Sequence, residues 1–396
     1  MKAVIVGGGI GGLAAGLTLT QAGLEVEVLE QAPVISEVGA GLQISPNGVK
    51  ALQHLGIMEA LEPYLFEPES IRMAMGRSGR VIFDLLMKGY AQERWGARFV
   101  QIHRADLQDA LKTALGKQAG LVLRTNAKAT GYVRERGGAS VYLERGDRIF
   151  GDIVIAADGV HSVIRSQLAG ADRARFTGNV AWRTVVPVDA LGQDAPPPSG
   201  CIWAGQGKHA VTTYLRGGSL VNFVGLIEQD GWEEESWSIT GERAEALRHF
   251  DGWAAPINRI LHVAPTLNRW ALLDRPALAT WSDGPVTLLG DAAHPMLPSM
   301  AQGAVQAIED AVILARCLSS EADKLAALQR YFEARIDRVT KIQRRSAANV
   351  DLFHKRGAVA QLASYAPIWA AARLTPNLIH ARQDAIYGYD PVTAAL

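Results

Sequence analysis

The chain has 396 residues, with 40 Lys plus Arg balanced by 40 Asp plus Glu. A length beyond the ~250–300 residues at which one hydrophobic core stops growing predicts two domains, and globular proportions of charged (20%) and hydrophobic (48%) residues exclude global disorder. Zero formal charge leaves no electrostatic footprint for nucleic acid, and two cysteines, Cys201 and Cys317, make neither a disulfide framework nor a CxxC metal site; both read as buried small hydrophobes.

Met1-Lys2 leads directly into an apolar strand over 3–6, without the longer apolar core of a signal peptide. No stretch approaches the ~20 apolar residues of a membrane span, so a soluble, cytoplasmic protein with no membrane partner is expected. Gly7 to Gly12 form a turn. A helix over 13–22 follows, with Leu13 and Leu17 on one face and Gly23 as its cap, then a strand over 25–29. Strand, helix and strand make a βαβ unit.

Residues 35–50 read as a glycine-rich loop running into a helix over 47–55. A second helix is expected over 106–115, a strand from 121, a hairpin of 140–143 with 148–150 around Arg145-Gly146-Asp147, and an apolar strand over 152–157. After about residue 178 the texture changes. Segments 181–188, 210–215 and 219–227 are rich in Val, Thr and aromatics and are separated by Pro196-Pro197-Pro198 and Gly217-Gly218, which predicts a mainly antiparallel sheet. Trp182, Trp203, Trp232, Trp237, Trp253 and Trp270 are expected in its core, some of them lining a pocket for a flat ligand.

The α/β pattern returns with a strand over 286–289 and a helix over 303–318. A long helix over 323–355 carries Arg335, Arg338, Lys341, Arg344 and Arg345, read as a solvated face. The tail is helical and then loop-like. The expected fold class is therefore α/β. A discontinuous Rossmann-like nucleotide domain (1–72, 98–178 and 270–350) holds an inserted, mainly antiparallel β domain for substrate (73–97 and 179–269), and a helical C-terminus (351–396) follows. A homodimer through these last helices is an open possibility.

Gly7-Gly8-Gly9-Ile10-Gly11-Gly12 fits GxGxxG between a strand and a helix. Gly7 permits the tight turn, Gly9 the approach of a pyrophosphate and Gly12 close packing of helix on strand; Gly11 belongs to the same loop. The helix N-terminus offers its orphan N–H groups to phosphates, and Glu30, ending the second strand, is placed to accept bonds from a ribose. The motif alone does not choose between NAD and FAD.

Three further stretches make that choice by resemblance. Asp158-Gly159, after 152–157, is similar to the "DG" motif of the single-component FAD-dependent aromatic hydroxylases, and Gly290-Asp291, after 286–289, to their "GD" motif. Ile102-His103-Arg104-Ala105-Asp106-Leu107 resembles their flavin-contacting Arg segment. The resemblance is strong over about 1–180 and 270–320 and weak over the sheet between. It implies an FAD-binding domain held by Gly7, Gly9, Gly11, Gly12, Glu30, Arg104, Asp158, Gly290 and Asp291, with the Ala127 backbone near the adenine. Asp291 would reach the ribityl chain. Gln302, Gly303 and Ala304, opening the next helix, would face the pyrimidine edge of the isoalloxazine. The absence of a second GxGxxG fits NADH or NADPH acting as a transient reductant.

Gly207-Lys208-His209-Ala-Val-Thr-Thr-Tyr214-Leu215-Arg216-Gly217-Gly218 resembles a segment of the salicylate, 3-hydroxybenzoate and 6-hydroxynicotinate hydroxylases, whose catalytic His stands seven residues before the Arg, as His209 does here. The resemblance thus implies an NAD(P)H-driven monooxygenase that hydroxylates a small phenolic aromatic acid of salicylate type with molecular oxygen, through a flavin C4a-hydroperoxide. His209 would deprotonate the ring hydroxyl. Alternatives are 3-hydroxybenzoate or 6-hydroxynicotinate as substrate, and a flavin dehydrogenase or reductase without oxygen insertion. Pro298, where known 3-hydroxybenzoate 6-hydroxylases carry Gln, and Tyr214, beside a Thr213 that replaces a substrate-binding Tyr, are the candidate substrate residues. His294 is expected to orient the loop over the flavin. No HxxxH or similar pair indicates a metal.

Overall fold

The computed structural model describes residues 1–35, 41–170, 174–231 and 239–396. Lys2–Val6 lies inside a six-stranded sheet of order Ser282–Asp283, Val286–Leu288, Ile153–Ala156, Lys2–Val6, Glu25–Leu29 and Leu121–Arg124. All neighbours pair in parallel except the edge strand Ser282–Asp283. Both faces are covered, so the inner strands are apolar without alternation: Ala3, Val4, Ile5, Ile153, Val154 and Ile155 are fully buried. The chain leaves Lys2–Val6 toward Glu25–Leu29 on one side and later fills Ile153–Ala156 on the other. The order of strands therefore reverses at the carboxyl end of Lys2–Val6, where open α/β sheets form their ligand crevice.

Helix Ile10–Gln21 covers one face and packs on Gly303–Ser320. A Cβ on Gly11 would stand 2.9 Å from Leu289 and 3.2 Å from Ala307, so the close approach requires glycine there. An antiparallel three-stranded sheet (Ala129–Glu135, Gly138–Leu143, Arg148–Gly151) flanks this layer.

The second layer is an eight-stranded sheet of order Ile239–Thr240, Asn268–Asp274, Arg175–Pro187, Leu220–Glu228, Lys208–Leu215, Gly200–Gly205, Ser70–Met75 and Val81–Leu86. It is antiparallel except between Gly200–Gly205 and Ser70–Met75. Ser70–Met75 and Asn268–Asp274 pair wholly within it, so the expected boundaries at 72/73 and 269/270 cut through strands. Helices Arg243–His249 and Ala255–Val263 bury one of its faces on a core that includes Trp182, Phe223, Phe250 and Ile257.

Trp182, Trp203 and Trp253 are buried and Trp270 half-buried; none lines the main cavity, and Trp232 and Trp237 lie outside the described residues. Their large apolar surface is used for packing rather than for a ligand. Both cysteines are buried.

Helix Lys324–Phe353 packs on Gly303–Ser320 and on the turn at 298–300, and Ala358–Leu374, Pro376–Ala381 and Asp384–Tyr387 follow it. Among the described residues no helix is long and apolar enough to cross a membrane.

Candidate active site

The crevice begins at the glycine turn. Gly7 adopts φ +107, and a Cβ there would stand 2.4 Å from the Ala157 carbonyl oxygen; one on Gly12 would stand 1.9 Å from the Gly7 oxygen. Gly9 has nothing within 4 Å of its absent Cβ, so the helix N-terminus is open to an approaching group. Glu30 reaches back over the turn and accepts from the Gly8 and Ala32 N–H groups, both at 2.7 Å. The Ala127 N–H donates to the Glu30 carbonyl at 2.8 Å. Gly9, Glu30 and Ala127 therefore border one crevice.

Gly290 turns the chain at φ +62, and Asp291 follows. Asp291 is exposed by area, but it lines a cavity, and protein mass around that cavity desolvates its carboxyl and pushes it up, against the pull of His294 and Arg104. Arg104, the first residue of Arg104–Leu115, is thus near enough for its charge to act on Asp291. The local ion pair of this segment is made by Asp106, which accepts from Arg216 Nε at 3.0 Å and Nη2 at 2.8 Å.

Asp158 accepts from the Val163 N–H at 3.0 Å, so it helps start Val163–Ala169. Arg165 on that helix donates to the carbonyls of Ala292 (3.0 Å), Ala293 (2.7 Å) and Pro276 (2.8 Å), stapling the "DG" segment to the "GD" loop.

Beneath the loop lies a buried ionic cluster. The expected solvated face of the long helix is corrected here: Arg335 is fully buried and donates to Asp310 Oδ1, Glu309 Oε2 and Gln306 Oε1, each at 2.7 Å. Arg338 holds both oxygens of Glu309 at 2.8 Å. His294 lies 2.6 Å from Asp310 Oδ2, which also accepts from the Gly290 N–H at 3.0 Å, so His294 anchors the loop as expected from its position. Burial opposes the Asp310 charge, but His294 and Arg335 outweigh it and hold the carboxyl at about 2. Gln302 turns its side chain into the same network, donating to Ser45 Oγ at 2.8 Å and accepting from Asn47 at 3.1 Å. Only its backbone is left for a cofactor.

The cavity, about 650 Å³, runs between the two layers. It is lined by Asp291, Pro298, Gly303 and Ala304 from the first layer and by apolar side chains that include Phe83, Leu85, Phe99, Leu352 and Ile368. The loop that carries Pro298 is pinned to the long helix: Gln343 donates to the Pro295 carbonyl at 2.7 Å and Ser299 to the Ser346 carbonyl at 2.5 Å.

In Lys208–Leu215, period-two alternation sends His209, Val211 and Thr213 to the cavity. Ala210, Thr212 and Tyr214 therefore face the opposite way. Tyr214 is corrected as a substrate residue. Its hydroxyl donates to the Pro196 carbonyl at 2.5 Å, its ring stacks on Phe66 at 5.1 Å, and it does not line the cavity. Thr213 takes the cavity-facing place and accepts from Asn222 at 3.2 Å.

His209 is 1% exposed, and desolvation, with His354 adding, pushes its imidazole well below the ordinary value. Three side chains were not singled out in the sequence for this site. His354 touches His209, Glu228 touches His354, and Arg345 lines the cavity and, among the described residues, bonds the Arg382 carbonyl at 2.6 Å. Arg345 carried a signal: it follows Arg335, Arg338 and Ile342 at helical spacing along the inner stripe of Lys324–Phe353.

The crevice and cavity fit FAD. The open face of Gly9 suits a pyrophosphate, Glu30 a ribose, Asp291 a hydroxylated chain, and the N-terminus of Gly303–Ser320 the pyrimidine edge of an isoalloxazine.

Comparison with known proteins agrees. The family model described as an FAD binding domain matches residues 1–346. The 3-amino-4-hydroxybenzoate 2-monooxygenase of Streptomyces platensis is 36% identical over 89% of this chain and 88% of its own, and the 3-hydroxybenzoate 6-hydroxylase of Aquipseudomonas alcaligenes is 35% identical over 91% of each. A crystal structure of Klebsiella pneumoniae HpxO complexed with FAD and uric acid superimposes with a TM-score of 0.86 at 28% identity, over 98% of this chain and 97% of that one. The chain belongs to the FAD-binding-domain family and is an FAD-dependent monooxygenase of the aromatic hydroxylase type.

Proposed function

We propose that the enzyme hydroxylates a small phenolic aromatic acid, with His209 as the base and NADH or NADPH as a transient reductant. When bound and reduced, FAD supplies the oxygen-activating chemistry. The observation that carries the reading is a buried His209 lining the same cavity as Asp291 and Pro298, with burial pushing its imidazole well below the ordinary value.

Hydroxylation needs an electron-rich ring, and a phenolate is far more nucleophilic than a phenol. A phenol ionises near ~10, so its proton has to be drawn off by a positioned group as the ring reacts. Burial keeps His209 unprotonated at neutral pH, which is the form a base requires. Arg345 offers the substrate carboxylate a guanidinium inside the cavity, which a chain of zero net charge has to provide locally. Apolar walls at Phe83, Leu85 and Phe99 exclude water from the reacting centre.

Glu30, Gly9 and Ala127 are assigned to the adenosine end of FAD. Asp291, Gly303 and Ala304 are assigned to the flavin end, and Arg104 to the junction between them. Arg165 and the Asp310 cluster hold these loops in place.

A second reading is favoured by the size of the cavity, about 650 Å³, and by the apolar Leu352 and Ile368 in its lining. It gives the substrate a bulkier apolar substituent.

The test measures NADH and NADPH consumption, oxygen uptake and products for salicylate, 3-hydroxybenzoate, 6-hydroxynicotinate and 3-amino-4-hydroxybenzoate, each with and without an alkyl substituent. A hydroxylated product with matched oxygen uptake is expected for at least one. Reductant oxidation with no hydroxylated product from any would replace the reading by a dehydrogenase or reductase.

A further inference from the structure

A proton taken by His209 has to leave a cavity in which burial opposes an imidazolium. The ring of His209 offers a route. Its Nδ1 lies 2.7 Å from Nε2 of His354, the residue that ends helix Lys324–Phe353. Nδ1 of His354 lies 3.0 Å from Oε1 of Glu228, at the end of Leu220–Glu228. Arg356, which is exposed, donates to the other Glu228 oxygen. Backbone bonds fix the three elements together: the Gly207 N–H donates to the His354 carbonyl at 3.0 Å, and the Glu228 N–H to the Gly207 carbonyl at 2.9 Å. His209 and His354 are both buried, while Glu228 is partly exposed, so the three side chains join the cavity to the surface.

With both imidazoles neutral, as their burial favours, one arrangement of protons satisfies every bond. Burial works against the Glu228 charge, but hydrogen bonds from Arg356 and His354 outweigh it and hold the carboxyl below its ordinary range, so Glu228 only accepts. His354 must then present Nδ1–H to it. Neutral His354 is left with a bare Nε2, to which His209 donates Nδ1–H. Nε2 of His209 is therefore the bare nitrogen. The charged groups acting on His354 are Glu228, Asp351 and Arg356, and His354 is the titratable neighbour of His209.

We propose that His354 and Glu228 are positioning residues that fix the tautomer of His209 and carry the substrate proton out to solvent. This rests on His209 being the base. The ring O–H bond breaks as Nε2–H forms on His209. The Nδ1 proton of His209 passes to Nε2 of His354, and the Nδ1 proton of His354 to Glu228. The resulting carboxylic acid releases it to water. One proton crosses, no electrons are exchanged and neither imidazole is left charged. Both rings are left as Nε2–H tautomers, and the reverse hops restore Nδ1–H when the oxygen of the hydroxylated ring takes its proton back from His209 Nε2 and Glu228 takes one from water. A single buried His without this path would have to hold a cation that its surroundings disfavour.

The test uses the FAD-loaded protein with ¹⁵N-labelled histidine. Near neutral pH, both His209 and His354 are expected as Nδ1–H tautomers, and Glu228→Gln is expected to release them into mixtures. An Nε2–H His209, or tautomers indifferent to Glu228→Gln, overturns the proposal.

His354→Gln separates the two roles. Its amide oxygen still accepts from His209 Nδ1–H, but it has no proton to pass on. With whichever phenolic acid the wild type turns over, kcat is expected to fall by roughly tenfold to a hundredfold. What remains is expected to climb with pH toward the phenol's own ionisation near ~10, with the FAD spectrum unchanged. Wild-type turnover and pH profile in His354→Gln overturn the relay. Failure of every phenol in the wild type would overturn the functional reading instead, while the tautomer measurement needs no substrate and judges the relay by itself.

Discussion

Two carboxylates near the same loop, Asp291 and Asp310, are desolvated by the same fold and titrate in opposite directions. Asp310 meets Arg335, His294 and the Gly290 N–H, and its carboxyl is held at about 2. Asp291 faces the cavity with no protein hydrogen bond among the described residues, and its carboxyl is pushed up. The same contrast separates the two arginines of one helix face. Arg335 is bound on every guanidinium nitrogen within the protein, whereas Arg345 lines the cavity and bonds the Arg382 carbonyl through Nη1. Burial therefore does not mark the working groups. What separates Asp291 and Arg345 from Asp310 and Arg335 is a place on the cavity wall without a full set of internal partners, which a ligand can complete.

The sharpest way to break this contrast is to remove one member from each side. His209→Ala is expected to lower kcat by roughly 10²–10⁴-fold while leaving flavin absorbance close to wild type. Turnover equal to wild type would mean that the base lies elsewhere. Arg335→Met should do the reverse. It removes the cation that Glu309 and Asp310 share, leaving Glu309 to Arg338 and Asp310 to His294, and a loss of about 3–5 kcal/mol in chemical denaturation is expected.

The pH dependence has a definite sign. Because Asp310 is held below its unfolded value near ~3.9, its contribution is fully present above that value and is lost as pH falls through about 2. Acid unfolding of Arg335→Met is therefore expected at higher pH than in the wild type. Coincident acid transitions would remove Asp310 from the account.

Arg345→Met sharpens the same contrast at the substrate end. A charged hydrogen bond to a carboxylate is worth ~1.5–3 kcal/mol, so KM for an aromatic acid should rise by about tenfold to a hundredfold with stability unchanged. An equal rise for the matching uncharged phenol would show lost packing rather than a lost ion pair.

These differences were unequally legible in the sequence. The glycine turn and Glu30 could be read because their chemistry is local: a strand, a tight turn and a helix start within a few residues. The antiparallel texture after 178 was readable from composition and turns. Arg335 was misread because a helix sequence shows which residues share a face but not what lies opposite, and its partners sit on Gly303–Ser320. A signal did exist: Tyr331, Arg335, Val339, Ile342 and Ser346 follow one buried stripe, so Arg335 occupies a core position. His354 left no such mark. It becomes part of the site only when the end of one helix is folded against a strand that lies far away in sequence.

Strand parity gives the smallest and most specific test. Tyr214 and Thr213 are adjacent, yet one faces a core and the other the cavity, and a slip of one residue would exchange them. Tyr214→Phe removes a buried hydroxyl that donates to the Pro196 carbonyl. About 1 kcal/mol of stability should be lost, with KM and kcat unaltered. Thr213→Val preserves shape but removes a hydroxyl on the cavity side that accepts from Asn222, and a several-fold change in KM is expected together with a loss of about 1–3 kcal/mol of stability. If Tyr214→Phe were instead the variant that moved KM, the strand would have to present its other face to the substrate. His209, which shares parity with Thr213, would then turn away from the cavity as well.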